Sequence, residues 1–521
     1  MLPTAASLKS SSARRIRIVQ RIVQMRAQST FHDQEGSPYW NRVAPWKDVS
    51  TEEFMTYQWQ VRNTVSTKQS LYKFLLEALP QELGQSKNPQ LWKLRTKANF
   101  IDDAIAALSL APMNIRLTPH MLSRIDWKQP LDDPIRKQFI PLRSGIVPDH
   151  EHLKFDSLHE EDDSPTPGLV HRYPGRALFL ATSICPVYCR YCTRSYAVGG
   201  DTEALSKKPQ KPSKRRWDVV FDHIAKDTTL EDIVVSGGDT YYLQPDQLWT
   251  IGKRLLDIPH IRRIRIATKG LAVAPCRILD ENDSWTDNLI KLSNLGRKLG
   301  KQVCLHTHIN HANEITWITK LAAQKLFENG VIVRNQAVLL KGVNNNEEAL
   351  MELITTLANN NIQPYYVYQC DMVKGIEDLR TPLHEIIELD KKLRGKLSGF
   401  MMPAFVIDLP GGGGKRLVST HESYDKDTGI ARYRAPGLEG KKGEQIYTYH
   451  DPKPVQDEIL TAFRQHQQKA LHQGKTLDQF VFNPPKLPRY EPLRQPPTPN
   501  LPGSIPLPSS PVSQPQWVAT A

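Results

Sequence analysis

Three cysteines lie close enough together in the sequence to act on one metal centre. Cys185, Cys189 and Cys192 occupy the segment CPVYCRYC, a Cys-x3-Cys-x2-Cys pattern. Thiolates at this spacing can each hold one corner of a cubic 4Fe–4S cluster and leave the fourth iron without a protein ligand. A zinc site needs a fourth ligand and more often uses paired Cys-x2-Cys spacings, whereas a redox dithiol needs only two cysteines. We therefore predict an iron–sulfur cluster with an open coordination site.

A second reactive segment is the glycine run DLPGGGGK at residues 408–415. A phosphate-binding P-loop needs glycine six positions before its lysine and serine or threonine directly after it. Leu409 and Arg416 occupy those positions, so a P-loop is excluded. A flexible glycine run that presents one lysine, here Lys415, also suits a Schiff base with an aldehyde cofactor. The spacing alone leaves that assignment open.

The cysteine motif resembles the signature of the radical S-adenosylmethionine enzymes. Tyr191 matches the aromatic residue that typically precedes the third cysteine of that signature. The resemblance implies that the open iron binds the amino and carboxylate groups of S-adenosylmethionine. A glycine-rich segment at a strand end is by itself a common tight turn. In this context it resembles the family segment that contacts the methionine moiety, and its residues are Ser236, Gly237, Gly238 and Asp239.

The elements that must position these residues alternate between strand and helix from residue 176 onward. Strand-like runs occupy residues 177–182, 232–237, 262–268, 303–309, 332–340 and 365–370. Helical patterns between them include residues 247–256, 288–299, 314–329 and 347–359. This alternation indicates βαβ units around a parallel sheet. We predict an α/β fold with an incomplete (β/α)6 barrel, whose chemistry lies at the carboxyl ends of its strands.

Composition divides the rest of the chain into further segments. Residues 40–150 are predicted to form a mainly helical region before the barrel at residues 165–400. A C-terminal segment with Lys415 is assigned to residues 401–482, and the proline-rich residues 484–521 are predicted to be a disordered tail. The basic run KKPQKPSKRR at residues 207–216 is interpreted as a solvated insertion in the first βα crossover.

The charge distribution bears on partners and localisation. The net charge of +13 lies mainly in residues 207–216 and in residues 1–32, each of which carries six basic residues, so a nucleic-acid partner is not expected. No stretch approaches the roughly 20 apolar residues of a membrane span. Residues 1–32 lack acidic residues and mix arginine, serine and apolar residues, which predicts a mitochondrial transit peptide, with a disordered basic tail as the alternative. We expect the protein in the mitochondrial matrix, otherwise in the cytoplasm.

Several long segments together resemble the lysine 2,3-aminomutase family, over residues 46–449. They are YQWQVRN (57–63), DDPIRKQFIPL (132–142), DSPTPGLVHRYPGRALFL (163–180), the cysteine motif, HTHINHANEIT (306–316), NQAVLLKGVN (335–344), PYYVYQCD (364–371) and DLPGGGGK. The resemblance implies three cofactors, namely the 4Fe–4S cluster, S-adenosylmethionine and pyridoxal 5′-phosphate. It also implies an external electron donor such as a flavodoxin or ferredoxin, a small amino acid as substrate, and a homo-oligomer.

Cofactor residues are implied by the same resemblance. Lys415 matches the lysine that forms a Schiff base with pyridoxal phosphate. Arg176 matches the residue on the phosphate of that cofactor, which suits a guanidinium with its paired donors, and Tyr173 matches a position nearby. His308 and Gln336 match positions that line the S-adenosylmethionine site. Without the family context, His308 would be interpreted as a buried histidine whose hydrogen bonds are satisfied.

Substrate residues follow in the same way. Arg194 matches the residue that pairs with the substrate carboxylate, whereas Asp371 and Asp408 match the two carboxylates that bracket the ε-ammonium of lysine. A cation held at the far end of a substrate needs anions there, and the glutamate-specific relatives lack this acidic pair. A structural alternative is that Asp408 caps the turn before Pro410. The implied reaction interconverts L-lysine and β-lysine through a 5′-deoxyadenosyl radical and a substrate joined to pyridoxal phosphate.

The chain departs from the family at its structural zinc site. Asn344, Asn345 and Asn346 occupy the region of one zinc cysteine, and no cysteine follows Cys370. Three functions therefore remain: an aminomutase for free L-lysine, one for another cationic amino acid such as arginine or ornithine, and an iron–sulfur binding or electron-transfer protein without mutase activity. Lys415 argues against the third, because a Schiff-base lysine has no role in it.

Overall fold

The computed structural model describes residues 38–208 and 213–453 and three isolated positions, 465, 469 and 473. The predicted transit peptide at residues 1–32 and the predicted tail at residues 484–521 lie outside the described residues. The chain divides into two units, Met1–Phe482 and Asn483–Ala521, and the description below concerns the first. In the described ranges, no helix combines the length and the apolar character needed to cross a membrane.

Residues before the barrel form short helices joined by ordered loops. Their α-helices are α1 (Thr51–Phe54), α2 (Tyr57–Arg62), α3 (Lys68–Ala78), α4 (Lys97–Leu108), α5 (Pro119–Leu122) and α6 (Pro134–Phe139). Helix α3 begins at a capping box, in which the Thr67 side chain accepts the amide N–H of Ser70. Its buried residues Leu71, Phe74 and Leu75 recur at helical spacing, and they belong to the same hydrophobic core as the barrel.

A nine-stranded sheet forms the body of the molecule, and its strand order follows the chain from β1 to β9. The strands are β1 (Leu169–Tyr173), β2 (Arg176–Thr182), β3 (Asp232–Gly237), β4 (Arg263–Ala267), β5 (Gln302–Thr307), β6 (Ile332–Val338), β7 (Ile362–Tyr368), β8 (Ala404–Leu409) and β9 (Gly414–Leu417). Strands β2 to β8 are parallel to their neighbours, and the edge strands β1 and β9 are antiparallel.

Six helical crossovers connect the seven parallel strands, which confirms the predicted (β/α)6 arrangement. Their main helices are α7 (Lys214–Lys226), α8 (Pro245–Asp257), α11 (Trp285–Lys298), α12 (Trp317–Glu328), α13 (Glu347–Asn359) and α14 (Leu383–Leu393), and the fourth strand is also followed by the short helices α9 (Gly270–Val273) and α10 (Cys276–Leu279). Helix α8 buries Leu248, Ile251 and Leu255, whose spacing places them on one face. Strand β8 begins at Ala404, so the segment that the sequence assigned to residues 401–482 contributes the last parallel strand of the sheet.

The two edges of the sheet approach each other without pairing as strands. The amide N–H of Lys415 in β9 donates a hydrogen bond of 2.6 Å to the hydroxyl of Tyr173 in β1. A smaller antiparallel sheet follows, with β10 (Ser423–Asp425), β11 (Ile430–Arg434) and β12 (Ile446–His450), and helix α15 (Lys441–Glu444) precedes its last strand. Tyr449 of β12 donates to the carbonyl of Cys370, which ties this sheet to the end of β7.

The basic run at residues 207–216 is not a wholly solvated insertion, contrary to the sequence interpretation. Lys207 is buried, and residues 214–216 form the first turn of α7. Arg216 donates hydrogen bonds to the carbonyls of Leu180 and Ala181 at the end of β2. The interpretation failed because a cluster of basic residues usually marks a solvated face, whereas here the protein supplies carbonyl acceptors. Residues 209–212 lie outside the described part of the chain.

Candidate active site

A cavity of about 300 Å³ opens at the carboxyl ends of the parallel strands. This is where a barrel of this kind places its chemistry. Most of the predicted site residues line it: Cys185, Cys189, Cys192, Arg194, Ser236, Gly238, Asp239, His308, Gln336, Asp371, Asp408 and Lys415. Tyr173, Arg176 and Gly237 are not in its wall. Tyr173 contacts the backbone of Lys415, Arg176 lies over the ring of Tyr173, and Gly237 packs against Thr182.

The three cysteines occupy the loop that follows β2, and all are free thiols. Burial raises the pKa of each thiol, to about 12 for Cys189, and neighbouring thiols act in the same direction at Cys185 and Cys189. The three sulfurs do not all lie within 4.8 Å of one another. Sulfurs bound to a single zinc at 2.3 Å would be roughly 3.8 Å apart, so this donor set is wider than a one-ion site requires. Three free thiols from one loop at the cavity wall are the donor type that an iron–sulfur cluster uses.

The glycines after β3 serve close packing against the start of the cysteine loop. Gly237 has a φ of +119°, and a Cβ there would overlap the carbonyl of Thr182. A Cβ on Gly238 would overlap the backbone of Ile184 in the same way. The amide N–H of Gly238 donates to the Thr182 carbonyl at 2.6 Å. These glycines therefore position the cysteine loop, and Ser236 and Asp239 beside them face the cavity.

A buried ion pair that the sequence did not reveal supports the adjacent part of the cavity wall. The Lys269 ammonium lies 2.5 Å from the Glu314 carboxylate and donates to the carbonyl of His308 at 2.8 Å. The Lys269 amide N–H also donates to the Asp239 carboxylate at 2.8 Å. Lys269 lines the cavity, and its positive charge favours the thiolate of Cys189. Only the fold brings these residues together, because they are far apart in the sequence.

His308 is a satisfied, neutral histidine within the cavity wall. Its Nδ1 lies 2.7 Å from the carbonyl of Gln336, which can only accept, so Nδ1 carries the proton. Its Nε2 lies 3.0 Å from the hydroxyl of Tyr191, which also lies 3.1 Å from Oε1 of Gln138. Burial and the Lys269 ammonium lower the pKa of His308 to about 3. The side chain of Gln336 is likewise engaged, with Nε2 2.9 Å from Nδ1 of His306.

Lys415 projects its ammonium toward an acidic pair. Its Nζ lies 2.9 Å from Oδ2 of Asp408 and 5.4 Å from the ring centre of Tyr368. Desolvation is the largest single influence and favours the neutral amine, but Asp408, Tyr368 and Tyr173 together outweigh it and raise the pKa of Lys415. Gly414 has a φ of +71°, and a Cβ there would overlap Tyr173. The Arg176 guanidinium lies over the ring of Tyr173 at 3.8 Å, so this arginine–tyrosine pair flanks the glycine run.

Asp371 and Asp408 form the acidic pair itself. The hydroxyl of Thr193 donates to Oδ2 of Asp371 at 2.5 Å. Burial and the charge of Asp408 raise the pKa of Asp371 to about 7. Oδ1 of each aspartate is buried without a hydrogen-bond partner. Since buried polar atoms are normally paired, these two oxygens are spare acceptors for a ligand. The Asp408 side chain holds Lys415 and does not cap the turn before Pro410.

Arg194 is held by a partner that the sequence analysis missed. Its Nε and Nη2 lie 2.7 and 2.6 Å from the two carboxylate oxygens of Glu160, and Tyr196 donates to the same carboxylate at 3.1 Å. Glu160 is buried, although the polar, proline-broken segment around it carries no periodic signal of burial. The Nη1 atom of Arg194 takes no part in this ion pair. This edge of the guanidinium is therefore available to a ligand at the cavity wall.

Comparisons with known proteins place the chain in a family. No family model matches it. It is 37% identical over 389 residues to the L-lysine 2,3-aminomutase of Clostridium subterminale, which covers 74% of this chain and 84% of that protein. The L-lysine 2,3-aminomutase of Bacillus subtilis is 36% identical over 377 residues, 72% of this chain and 71% of the relative. The glutamate 2,3-aminomutase of Clostridioides difficile is 30% identical over 390 residues, 75% of this chain and 82% of the relative. The chain belongs to the lysine 2,3-aminomutase family and is an isomerase of the aminomutase class.

Proposed function

We propose that this enzyme interconverts L-lysine and β-lysine by moving the amino group between C2 and C3. The observation that carries the proposal is the pair of carboxylates at Asp371 and Asp408, of which Asp408 already binds one primary ammonium, that of Lys415. Free lysine, the proposed substrate, ends in the same ε-ammonium group. The ammonium of Lys415 therefore occupies the place that the substrate ammonium would take.

The charge of this pair favours lysine over glutamate. Burying an ammonium is costly unless anions compensate it, and the pair offers two spare carboxylate oxygens. A glutamate side chain would instead bring a third carboxylate into the same buried place. The names of the relatives include both substrates, so this local difference in charge is the basis for choosing between them. Ornithine and arginine are also cationic, and an aminomutase for one of them is the second candidate.

The residues also fit the three cofactors of the proposed reaction. Cys185, Cys189 and Cys192 would hold the 4Fe–4S cluster, and the cavity beside them would take S-adenosylmethionine. Lys415 would hold pyridoxal phosphate, with the exposed guanidinium of Arg176 available to its phosphate. When bound, the cluster and S-adenosylmethionine supply a radical that removes hydrogen, and pyridoxal phosphate supplies the carbonyl carbon that carries the migrating nitrogen.

Different side chains would bind the cofactor and the two ends of the substrate. Lys415 must leave Asp408 to reach a carbonyl carbon, and its departure frees the acidic pair for the substrate ammonium. Arg194, fixed by Glu160, would receive the substrate carboxylate on the edge that Glu160 leaves open. The substrate is thus held at both ends, which fixes C2 and C3 in the cavity between them.

The proposal is tested by the products that the loaded enzyme forms. The protein would be reconstituted anaerobically with iron and sulfide, and then given pyridoxal phosphate, S-adenosylmethionine and a reductant. L-lysine, L-ornithine, L-arginine and L-glutamate would be offered separately, and the products resolved by chiral chromatography. We expect β-lysine from lysine. A different β-amino acid would favour the second candidate, and no turnover with all cofactors bound would favour an iron–sulfur protein without mutase activity.

A further inference from the structure

A buried lysine without a carboxylate partner lies next to the cysteine loop. Only 7% of Lys207 is exposed. Its Nζ donates to the carbonyl of Val198 at 2.6 Å and lies 3.4 Å from Sδ of Met113. Neither contact carries a formal charge. Within residues 38–208 and 213–453, no carboxylate forms an ion pair with this ammonium, although Asp201 accepts its backbone N–H. Lys207 therefore holds a buried positive charge without an ion-pair partner among the described residues.

The two groups that contact Lys207 belong to the layer that covers the thiols. Met113, Val198 and Tyr188 form a small apolar cluster, against which Cys185 and Cys192 pack. Met113 and Val198 also line the cavity together with these cysteines. Lys207 therefore contacts two members of the cluster against which Cys185 and Cys192 pack, and it is not in the cavity wall.

Electrostatics point to the same cysteines. Burial lowers the pKa of Lys207 to about 8, and negative charge on Cys192, Cys185 and, as the smallest of the three, Asp201 acts in the opposite direction. Thiolates at these positions would therefore favour the charged lysine. A cluster held by three thiolates is anionic, and it becomes more negative by one unit when an external donor gives it an electron. A fixed positive charge in a medium of low dielectric constant stabilises that more negative state.

We propose that Lys207 is an electrostatic residue of the iron–sulfur centre, whose buried positive charge raises the reduction potential of the cluster. The inference rests on the proposed function only in that Cys185, Cys189 and Cys192 bind a 4Fe–4S cluster. It requires neither pyridoxal phosphate nor a particular amino acid. Lys207 is not among the residues that line the cavity, so it would act on electron transfer through its charge.

Its neighbour Lys208 supplies a matched control. The Lys208 side chain is 77% exposed and pairs with Glu161 at 2.9 Å. Its charge is therefore screened by water, salt and a partner of opposite sign. Replacing either lysine by methionine removes one positive charge from adjacent positions of the same chain. An effect of local charge on the cluster should appear only at Lys207.

The experiment is a potentiometric titration of the reconstituted full-length chain, followed by the electron paramagnetic resonance signal of the reduced cluster. It compares the wild type with Lys207→Met, Lys207→Gln, Lys207→Arg and Lys208→Met, without pyridoxal phosphate or amino acid. We expect the midpoint potential to become more negative in both neutral variants at position 207. Lys207→Arg and Lys208→Met should keep the wild-type value. An unchanged potential in Lys207→Met or Lys207→Gln at full iron content would overturn the proposal.

If a variant binds no cluster, its potential cannot be measured, and the iron content of the variants then tests the proposal. Loss of iron in both neutral variants but not in Lys207→Arg would support a requirement for the charge. Loss of iron in Lys207→Arg as well would contradict it, because packing and not charge would then be the cause. Turnover of amino acids is measured separately. A shifted potential in a protein that makes no β-amino acid would leave this inference standing and remove the proposed function.

Discussion

The ammonium of Lys415 lies 2.9 Å from Oδ2 of Asp408, and both side chains line the same cavity. Lys415 is the residue expected to bind pyridoxal phosphate, and Asp408 is one of the two expected to bind the substrate. The chain's own lysine and a substrate lysine therefore compete for one carboxylate. Binding of pyridoxal phosphate at Lys415 would withdraw this competitor until the substrate becomes joined to the cofactor and the lysine is released again.

Replacing Lys415 by alanine should abolish the absorbance of protein-bound pyridoxal phosphate, because the variant has no amine to join the cofactor. The protein would be incubated with pyridoxal phosphate, desalted and examined by absorption spectroscopy. Lys426→Ala, at an exposed position, serves as the control and should bind the cofactor like the wild type. Retention of the absorbance by Lys415→Ala would show that another lysine carries the cofactor.

Neutralising the acidic pair should weaken the use of lysine. Asp371→Asn and Asp408→Asn each remove one charged acceptor, a change that costs about 1.5–3 kcal/mol, or roughly 10- to 150-fold in kcat/KM. Steady-state kinetics with L-lysine under anaerobic conditions would measure the loss. Asp427→Asn, at an exposed turn, is the matched control and should leave kcat/KM unchanged. Full activity in both pair variants would mean that the substrate cation lies elsewhere.

Lysine binding should strengthen as the pH rises through about 7. Burial and Asp408 raise the pKa of Asp371 to about 7, so below this pH the carboxyl group is protonated and does not attract an ammonium. Above it the carboxylate is negative, while the ammonium of free lysine keeps its charge to a pH of about 10. KM for lysine should fall between about pH 6 and pH 8. Asp371→Asn should lose this dependence, and an identical pH profile in the variant would refute the assignment.

Alanine at Gly237 should destabilise the protein and the cysteine loop together. Its φ of +119° excludes side chains, and the new Cβ would overlap the Thr182 carbonyl. Gly300 has a φ of +66° with nothing within 4 Å, so Gly300→Ala measures backbone strain without a clash. We expect Gly300→Ala to cost about 1–3 kcal/mol and Gly237→Ala roughly 1–3 kcal/mol more. Thermal unfolding and iron content would be compared, and equal stability of the two variants would contradict the packing role of Gly237.

Local periodicity was sufficient to predict the barrel. Residues 232–237 and 247–256, for example, read as a strand and a helix from their apolar spacing, and the structure places β3 and α8 there. The sequence did not predict strand β8 as an element distinct from the glycine run that follows it, because no helical pattern lies between the two. Its place became evident only from its parallel pairing with β7.

Site residues could be predicted where their spacing in the sequence indicates a chemical role, as with the three cysteines. They could not be predicted where the contact joins residues that are far apart in the sequence. Glu160 lies in a polar segment that reads as a linker, yet it is buried against Arg194. Lys207 lies in a basic run that reads as solvated, yet it is buried beside the thiols. Buried charges are rare, so sequence patterns favour the exposed interpretation until the fold supplies their partners.

The central claim, that Asp371 and Asp408 select an amino acid with a side-chain ammonium, is tested most directly by comparing L-lysine with L-norleucine. Norleucine carries the same four-carbon side chain without the ammonium. In parallel anaerobic reactions with L-lysine, L-norleucine and L-glutamate, kcat/KM would be obtained from the β-amino acids formed. We predict β-lysine as the main product, with norleucine and glutamate at least about 100-fold poorer substrates, because they leave the buried carboxylates unpaired. A kcat/KM for norleucine or glutamate equal to that for lysine would contradict the claim.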